Sequence, residues 1–241
     1  MRPVRKWLPS DPGIQPPIND TYNPYSDAKP DLSRNLDDYC SFCERPANDE
    51  AVHVEHIQPK GLPQYSGLKY LWSNFLLSCA RCNGKDNKSN RDVVFGTVHL
   101  PHLNNTFLSI SYGEGGVIKV NPKLRDRELS NAVALVKLVG LDKRPGSTGY
   151  RSKDKRWDRR REVWEIAIRY FDKYNNDTID EQTILDLAKG YGFWSVWYSV
   201  FLNKVDVKKL LLSEFRGTAS ECFDNDYNPI PRNPGNPEDT I

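Results

Sequence analysis

Two C-x2-C pairs, Cys40/Cys43 and Cys79/Cys82, constrain this chain more than any other feature of its sequence. Each pair can present two thiolates from one tight turn, and four thiolates complete a tetrahedral shell around a zinc ion. Residues 44–78, 35 in all, lie between the pairs, so a shared ion would tie the start of a module to its end. A shell of four sulfurs leaves no open position for water, which makes such a site structural and couples metal binding to folding. Zinc ribbons without catalysis use the same spacing, so the cysteines alone do not define an enzyme. The plainer alternative is four buried or redox-active cysteines. Cys222 stands apart as an ordinary free thiol.

Five cysteines in a chain expected to be cytoplasmic argue against a disulfide framework. No apolar run approaches the ~18–20 residues of a membrane span. The start, Met1-Arg2-Pro3-Val4-Arg5-Lys6-Trp7, lacks the apolar centre of a secretory signal. With 241 residues, 38% hydrophobic and 27% charged, the chain can bury a sizeable core. Its net charge is only +2, so any nucleic-acid surface must arise from local clustering.

Four stretches organise the chain: a Pro-rich arm (1–37), a Cys/His-rich module with a hairpin (38–122), a helical region (123–227) and a tail (228–241). Seven of the 17 prolines fall in the first 30 residues, which predicts an extended arm that wraps the body or a partner or is loosely ordered. Ala51–Ile57 alternates like a strand, with Val52 and Val54 on one side and His53 and Glu55 on the other. Thr106–Ser111 and Val117–Val120 read as a hairpin around the turn Tyr112–Gly116. Helices are predicted over 126–139, 152–174, 180–189, 193–203 and 205–213. The fold class is therefore α+β, with a mainly α-helical C-terminal half.

What lies between and beside the cysteines carries chemistry. Val54-Glu55-His56-Ile57-Gln58-Pro59 comes first; Trp72-Ser73-Asn74-Phe75-Leu76-Leu77-Ser78-Cys79-Ala80-Arg81-Cys82-Asn83 follows after a loop. Phosphodiester hydrolysis needs a nucleophilic water, a base for its proton and positive charge for the transition state. His56, largely neutral near pH 7, can be the base. Glu55 and Asn83 offer oxygen ligands, which suit Mg2+ or Mn2+. Asp86 and Asn87 are the nearest competitors of Asn83. An isolated Glu-His pair is usually structural; here the zinc frame and two asparagines accompany it. His53 suits a packing or supporting role, and His99 and His102 a structural or loop role.

This arrangement resembles the HNH (ββα-metal) endonuclease family. Glu55-His56-Ile57-x-Pro59 matches its opening, Asn74-Phe75-x-Leu77 its middle with Phe in the usual Leu place, and Cys79-x2-Cys82-Asn83-x-Lys85 its close. The resemblance implies that Asn74 orients the base through backbone contacts. The wider layout resembles HNH subunits of bacterial anti-phage systems, the Septu nuclease subunit and retron-associated HNH proteins. That implies a partner ATPase, in retron systems a reverse transcriptase with its msDNA, and a DNA or host tRNA substrate.

Arg81, Lys85, Lys88 and Arg91 sit on or after the second cysteine pair, placed to grip phosphates. A larger cluster, Lys143–Arg161, holds nine Lys or Arg against two Asp and includes Lys153, Arg156, Arg159 and Arg160. Its alternatives are a solvated helix face or a surface for an acidic partner. Nothing here reads bases, and DNA versus RNA stays open. Trp164, Trp194, Trp197, Tyr198 and Phe201 fit a partner-docking surface or a helical core. The competing function is a zinc-organised nucleic-acid-binding or adaptor module without catalysis.

Overall fold

The computed structural model describes residues 1–232 and 241. Its elements run α1 (Lys29–Leu36), β1 (Val52–His56), β2 (Phe75–Cys79), α2 (Ala80–Asn83), α3 (Thr106–Ser109), β3 (Ile110–Gly113), β4 (Val117–Val120), α4 (Asp126–Val139), α5 (Arg156–Asn175), α6 (Glu181–Tyr191), α7 (Trp194–Val200) and α8 (Val205–Glu214). The fold is mixed α+β: two small antiparallel sheets precede a helical C-terminal half.

The first sheet pairs β1 with β2, with Glu55 opposite Leu76 and His56 opposite Phe75. Strand β2 is buried throughout, as its Phe-Leu-Leu sequence dictates, and α2 follows it directly to complete a ββα unit. Helix α1 packs against both strands. The arm was expected to be extended, yet residues 29–36 are helical. Pro30 occupies the first turn, where its missing N–H has no partner to lose.

The beginning of the arm is wrapped into the body. Met1, Arg2 and Val4 are buried. The Arg2 guanidinium donates to Leu36 O at 2.8 Å and to Arg216 O at 3.1 Å, joining α1 to the segment after α8. Val4 N donates to Pro101 O at 2.7 Å and Arg5 N to Gly217 O at 2.8 Å.

The expected strand at Thr106–Ser111 is corrected: residues 106–109 form a helical turn and the strand begins at Ile110. Asn105 caps that turn by accepting from Phe107 N at 3.2 Å, and Thr106 Oγ1 donates to Met1 O at 3.0 Å. Local capping and a long-range contact override the β-branched and aromatic residues. Helix α5 starts at Arg156 rather than 152, and α6 runs through Gly190 to stop at Gly192.

In the helical half, Trp194, Trp197, Tyr198 and Phe201 are fully buried together with Val163, Ala167, Ile184 and Leu211. They are the core of this half, and Trp164 packs against it. At the C-terminal end Ile230 N donates to Cys222 O at 2.9 Å. Residues 233–240 of the expected tail lie outside the described residues. No helix among the described residues is long and apolar enough to cross a membrane.

His102 is half-buried, but its Nδ1 is sealed from solvent without a hydrogen-bond partner. Burial, with Lys6 and Arg232 nearby, lowers its pKa from 6.5 to about 3. The native state therefore holds it neutral, and the unfolded chain takes up a proton first as pH falls. Its contribution to stability is complete above pH 6.5 and is lost as pH falls towards 3, by about 1.4 kcal/mol per pH unit in that window. Chemical denaturation of His102→Phe between pH 7 and 3 is expected to show a flatter acid limb than wild type.

Candidate active site and zinc knuckle

The two cysteine pairs meet. All four cysteines are buried, and their Sγ atoms lie within 4.8 Å of one another, with Cys43 and Cys79 at 3.6 Å. Zn–S bonds of about 2.3 Å in a tetrahedron require sulfur–sulfur separations of roughly 3.8 Å, so the cluster fits a zinc ion. The turn carrying the first pair closes through Glu44 N to Cys40 O at 2.8 Å and Cys40 N to Arg45 O at 2.9 Å. It is fixed to the sheet by Ser41 N donating to Leu77 O at 2.9 Å. The second pair needs no loop of its own, because Cys79 ends β2 and Cys82 lies on α2.

Four thiolates concentrate negative charge, and the protein answers with Arg156. Its guanidinium is buried, donates from Nη1 to Cys82 Sγ at 3.3 Å and to Val139 O at 2.6 Å, and is held by Asp154 at 2.7 Å. Its pKa is raised because the attraction of Cys82 and Asp154 outweighs the cost of burial. Arg160 is also buried and bonds Gly116 O and Leu141 O. These two arginines, expected to grip nucleic acid, are instead internal ties between α5, the knuckle and the loop after α4. Their face of α5 points inward, and charge density in the sequence does not reveal which face is covered.

Glu44 joins the knuckle to the helical half. Its carboxylate accepts from Ser195 N at 2.9 Å and Ser195 Oγ at 2.6 Å, while its carbonyl accepts from Phe193 N at 2.9 Å. A Cβ at Gly192 would stand 2.7 Å from Glu44 O, so only glycine permits this approach.

The candidate catalytic residues sit at the end of β1. His56 is 6% exposed, and its Nε2 lies 2.9 Å from Lys69 O. A carbonyl only accepts, so Nε2 carries the proton and Nδ1 the lone pair. The ring is walled by Tyr25 at 4.7 Å and Phe75 at 5.2 Å, both edge-on. Burial lowers its pKa below 6.5, reinforced by Lys60, Lys88 and Lys69 against the opposing Lys69 hydrogen bond. The imidazole is thus neutral at pH 7 and able to accept a proton through Nδ1.

Asn74 stitches the loop after β1 to the turn before β2. Its Oδ1 accepts from Gln58 N at 2.8 Å, and its Nδ2 donates to Gln58 O at 2.9 Å and Leu68 O at 3.3 Å. Ile57 N donates to Asn74 O at 2.9 Å. Every contact is to backbone, and together they fix the segments carrying His56 and its carbonyl partner. Behind this turn, the Lys6 ammonium donates to Trp72 O at 2.6 Å, Ser73 O at 3.0 Å and Phe75 O at 2.8 Å. Burial lowers the Lys6 pKa to about 7.

Glu55 is 2% exposed and ion-paired through Oε1 with Lys88, whose side chain is fully buried. Burial raises the Glu55 pKa to about 7, with Lys88 pulling the other way. Lys88 was expected to grip phosphates on the surface; its ammonium is spent inside, on Glu55 and on His56 O at 2.6 Å. Asn83, half-buried at the end of α2, has no hydrogen-bond partner for its side chain among the described residues. Of its competitors, Asn87 is occupied by Arg81 O at 2.7 Å and Lys143 Nζ at 2.7 Å. Asp86 is exposed and pairs with Arg151.

Lys85, Arg91, Lys153 and Arg159 are exposed, and Arg81 is half-exposed. Arg159 faces Glu162 and Asp49. Lys60, exposed beside His56, and Lys69 were not singled out from sequence. Lys60 follows the Glu-His-Ile-x-Pro string directly, which was the available signal. Lys69 acts through its carbonyl, which no side-chain identity announces. His53 is exposed, and His99 is bonded to Glu128 at 2.7 Å and Ser109 at 2.9 Å.

Residues 40–89 match the family model described as HNH endonuclease. That stretch begins at the first cysteine and ends just past Lys88, so it contains the ββα unit, both cysteine pairs and the Asn74 turn. No curated protein matches the chain.

Metal analysis is expected to find about one zinc per chain, lost with folding in Cys40→Ser. Arg156→Met is expected to fold and lose zinc to a chelator about 10- to 100-fold more readily than wild type, as removal of a partner of a metal ligand generally does. Zinc retention equal to wild type would remove Arg156 from this role.

Proposed function

We propose that this chain is a metal-dependent HNH endonuclease that hydrolyses phosphodiester bonds of nucleic acid at His56. The observation that carries the reading is the His56 ring: its Nε2 proton is committed to Lys69 O, its pKa lies below the ordinary value, and lysines surround it. A histidine held this way serves as a general base beside a phosphate-attracting rim. The HNH match over residues 40–89 supports it.

In this reading Nδ1 of His56 takes the proton of the attacking water as its oxygen bonds to phosphorus. The P–O bond to the leaving group breaks, and that oxygen takes up a proton from solvent. Asn74 keeps the two segments around His56 in register through its backbone contacts. Glu55 and Asn83 present the two oxygen donors for a divalent ion, and oxygen-only donation suits Mg2+ or Mn2+, which keep several waters when bound. Such an ion supplies positive charge at the phosphate. Lys60 and Lys69, whose charges act on His56, and the exposed Lys85, Arg91, Lys153 and Arg159 with the half-exposed Arg81 are the cations proposed to hold flanking phosphates.

The assignment to a bacterial cytoplasmic anti-phage system, with a partner ATPase and a DNA or tRNA substrate, rests on the sequence layout alone. The second reading, a zinc-organised adaptor, is favoured by the burial of Glu55 against Lys88, which leaves that carboxylate partly spent.

Plasmid nicking and tRNA cleavage with Mg2+ or Mn2+ separate these readings. His56→Ala is expected to lose about 100-fold or more of the wild-type rate. Burial raises the Glu55 pKa to about 7, so metal-dependent activity is expected to fall as pH drops below 7, even though the lowered His56 pKa keeps the imidazole unprotonated there. Equal rates for both proteins would remove His56 as the base; no cleavage by wild type, partner included, would favour the adaptor.

A further inference from the structure

We infer that Lys88 is the residue that positions Glu55 and His56 for catalysis, linking them to the zinc knuckle, and that it makes no contact with substrate phosphates. The inference deepens the nuclease reading and rests on it.

The side chain of Lys88 is 0% exposed, so its ammonium cannot reach a phosphate arriving from solvent. It donates to His56 O at 2.6 Å and ion-pairs with Glu55 Oε1. Two consecutive residues of β1 are thereby fixed by one cation, Glu55 through its carboxylate and His56 through its carbonyl. The His56 peptide is held from this side while Lys69 O holds the ring through Nε2. The backbone that carries the ring and the ring's own Nε2 are thus both held, which keeps the Nδ1 lone pair in a constant direction.

The other end of Lys88 is tied to the metal-binding turn. Its backbone N–H donates to Cys82 O at 3.1 Å, and its carbonyl accepts from Arg91 N at 2.8 Å. The preceding turn is closed by Asn87 N to Gly84 O at 2.9 Å and by the Asn87 amide to Arg81 O. The chain thus runs from zinc ligand to Lys88 backbone to Lys88 ammonium to the catalytic pair, with no flexible surface segment between. A buried carboxylate without its cation carries a large desolvation cost, so this lysine is required where a surface phosphate contact is not. Placing reactive groups is worth as much as the groups themselves, since misplacement by about 1 Å costs on the order of 100-fold in rate.

The test compares Lys88→Met, Lys88→Arg and Lys85→Met with wild type. It measures kcat and KM for plasmid cleavage, the salt dependence of nucleic-acid binding, zinc content, and the 15N signals of His56. Lys88→Met is expected to keep its zinc, to lose about 100-fold in kcat with KM and salt slope unchanged, and to lose the single Nε2-protonated form of His56. Lys88→Arg, which keeps the charge, is expected to recover part of kcat. Lys85→Met is expected to do the opposite of Lys88→Met, raising KM and lowering the salt slope by about one.

A Lys88→Met protein with raised KM, a reduced salt slope and unchanged kcat would overturn the inference in favour of a phosphate contact. Unchanged kcat and unchanged His56 signals would overturn it outright. If Lys88→Met does not fold, Glu55→Gln/Lys88→Met removes both charges and is compared with Glu55→Gln: a change of the His56 signals in the double variant alone supports the inference, and identical signals overturn it. Absence of cleavage by wild type would refute the nuclease reading, while the His56 signals would still decide whether Lys88 positions that ring.

Discussion

Four cysteine sulfurs packed within 4.8 Å of one another in a buried space fit a zinc ion, and as thiolates they need such a cation between them. That constraint organises the rest of the structure. Closing roughly 40 residues of flexible chain costs about 4 kcal/mol, and a zinc ion bound by both cysteine pairs readily offsets it. The closed loop holds β1, the Asn74 turn and β2, so the candidate catalytic residues acquire their relative positions from a bond network they take no part in. Arg156 extends the same constraint outward: it answers the thiolate charge from α5, and the helical half is thereby anchored to the knuckle by electrostatics as well as by packing.

The N-terminal arm applies a second constraint from the opposite side. Lys6 gathers three carbonyls of the segment 72–75 on one ammonium, at distances of 2.6–3.0 Å. Carbonyls of a tight turn that point one way repel each other, and a shared hydrogen-bond donor relieves that repulsion. Asn74 faces the loop after β1 from the same turn. The turn is thus clamped between an arm that arrives from residues 1–7 and a loop that carries the catalytic strand. Removing either clamp frees the same few peptide groups, so local disorder there would reach His56 without touching it.

The sequence made the zinc site and the ββα unit legible because each rests on identities at fixed spacing: Cys40, Cys43, Cys79 and Cys82 for the metal, Glu55-His56 and Asn74 for the turn between strands. Helices α4 and α5 were legible through apolar periodicity. The failures have physical causes. Residues 106–109 carry β-forming side chains, but the Asn105 cap and a bond to Met1 decide their backbone. Lys88, Arg156 and Arg160 read as surface cations because Lys and Arg are rarely buried; each is internal because a carboxylate, a thiolate or a set of carbonyls waits for it, and such partners are assembled only by the fold. Helix α1 was hidden by the prolines around it, although Pro30 stands at the one place where a helix tolerates proline.

In the nuclease reading, the lysines around His56 would act on the proposed base as well as on the substrate. In the free protein, burial and the like charges of Lys60, Lys69 and Lys88 keep His56 deprotonated. Lys88 is fully buried against Glu55, so its charge is out of reach of a phosphate. Lys60 is exposed and Lys69 half-exposed, so a phosphate bound beside them would cancel part of their field. The repulsion that disfavours the imidazolium would then fall, and an anionic phosphate beside the ring would favour it directly. Proton affinity at Nδ1 would therefore rise on substrate binding. In that reading, the lysines that draw a polyanion to the surface would also keep the base unprotonated before it arrives, so one small basic rim would serve both binding and proton transfer.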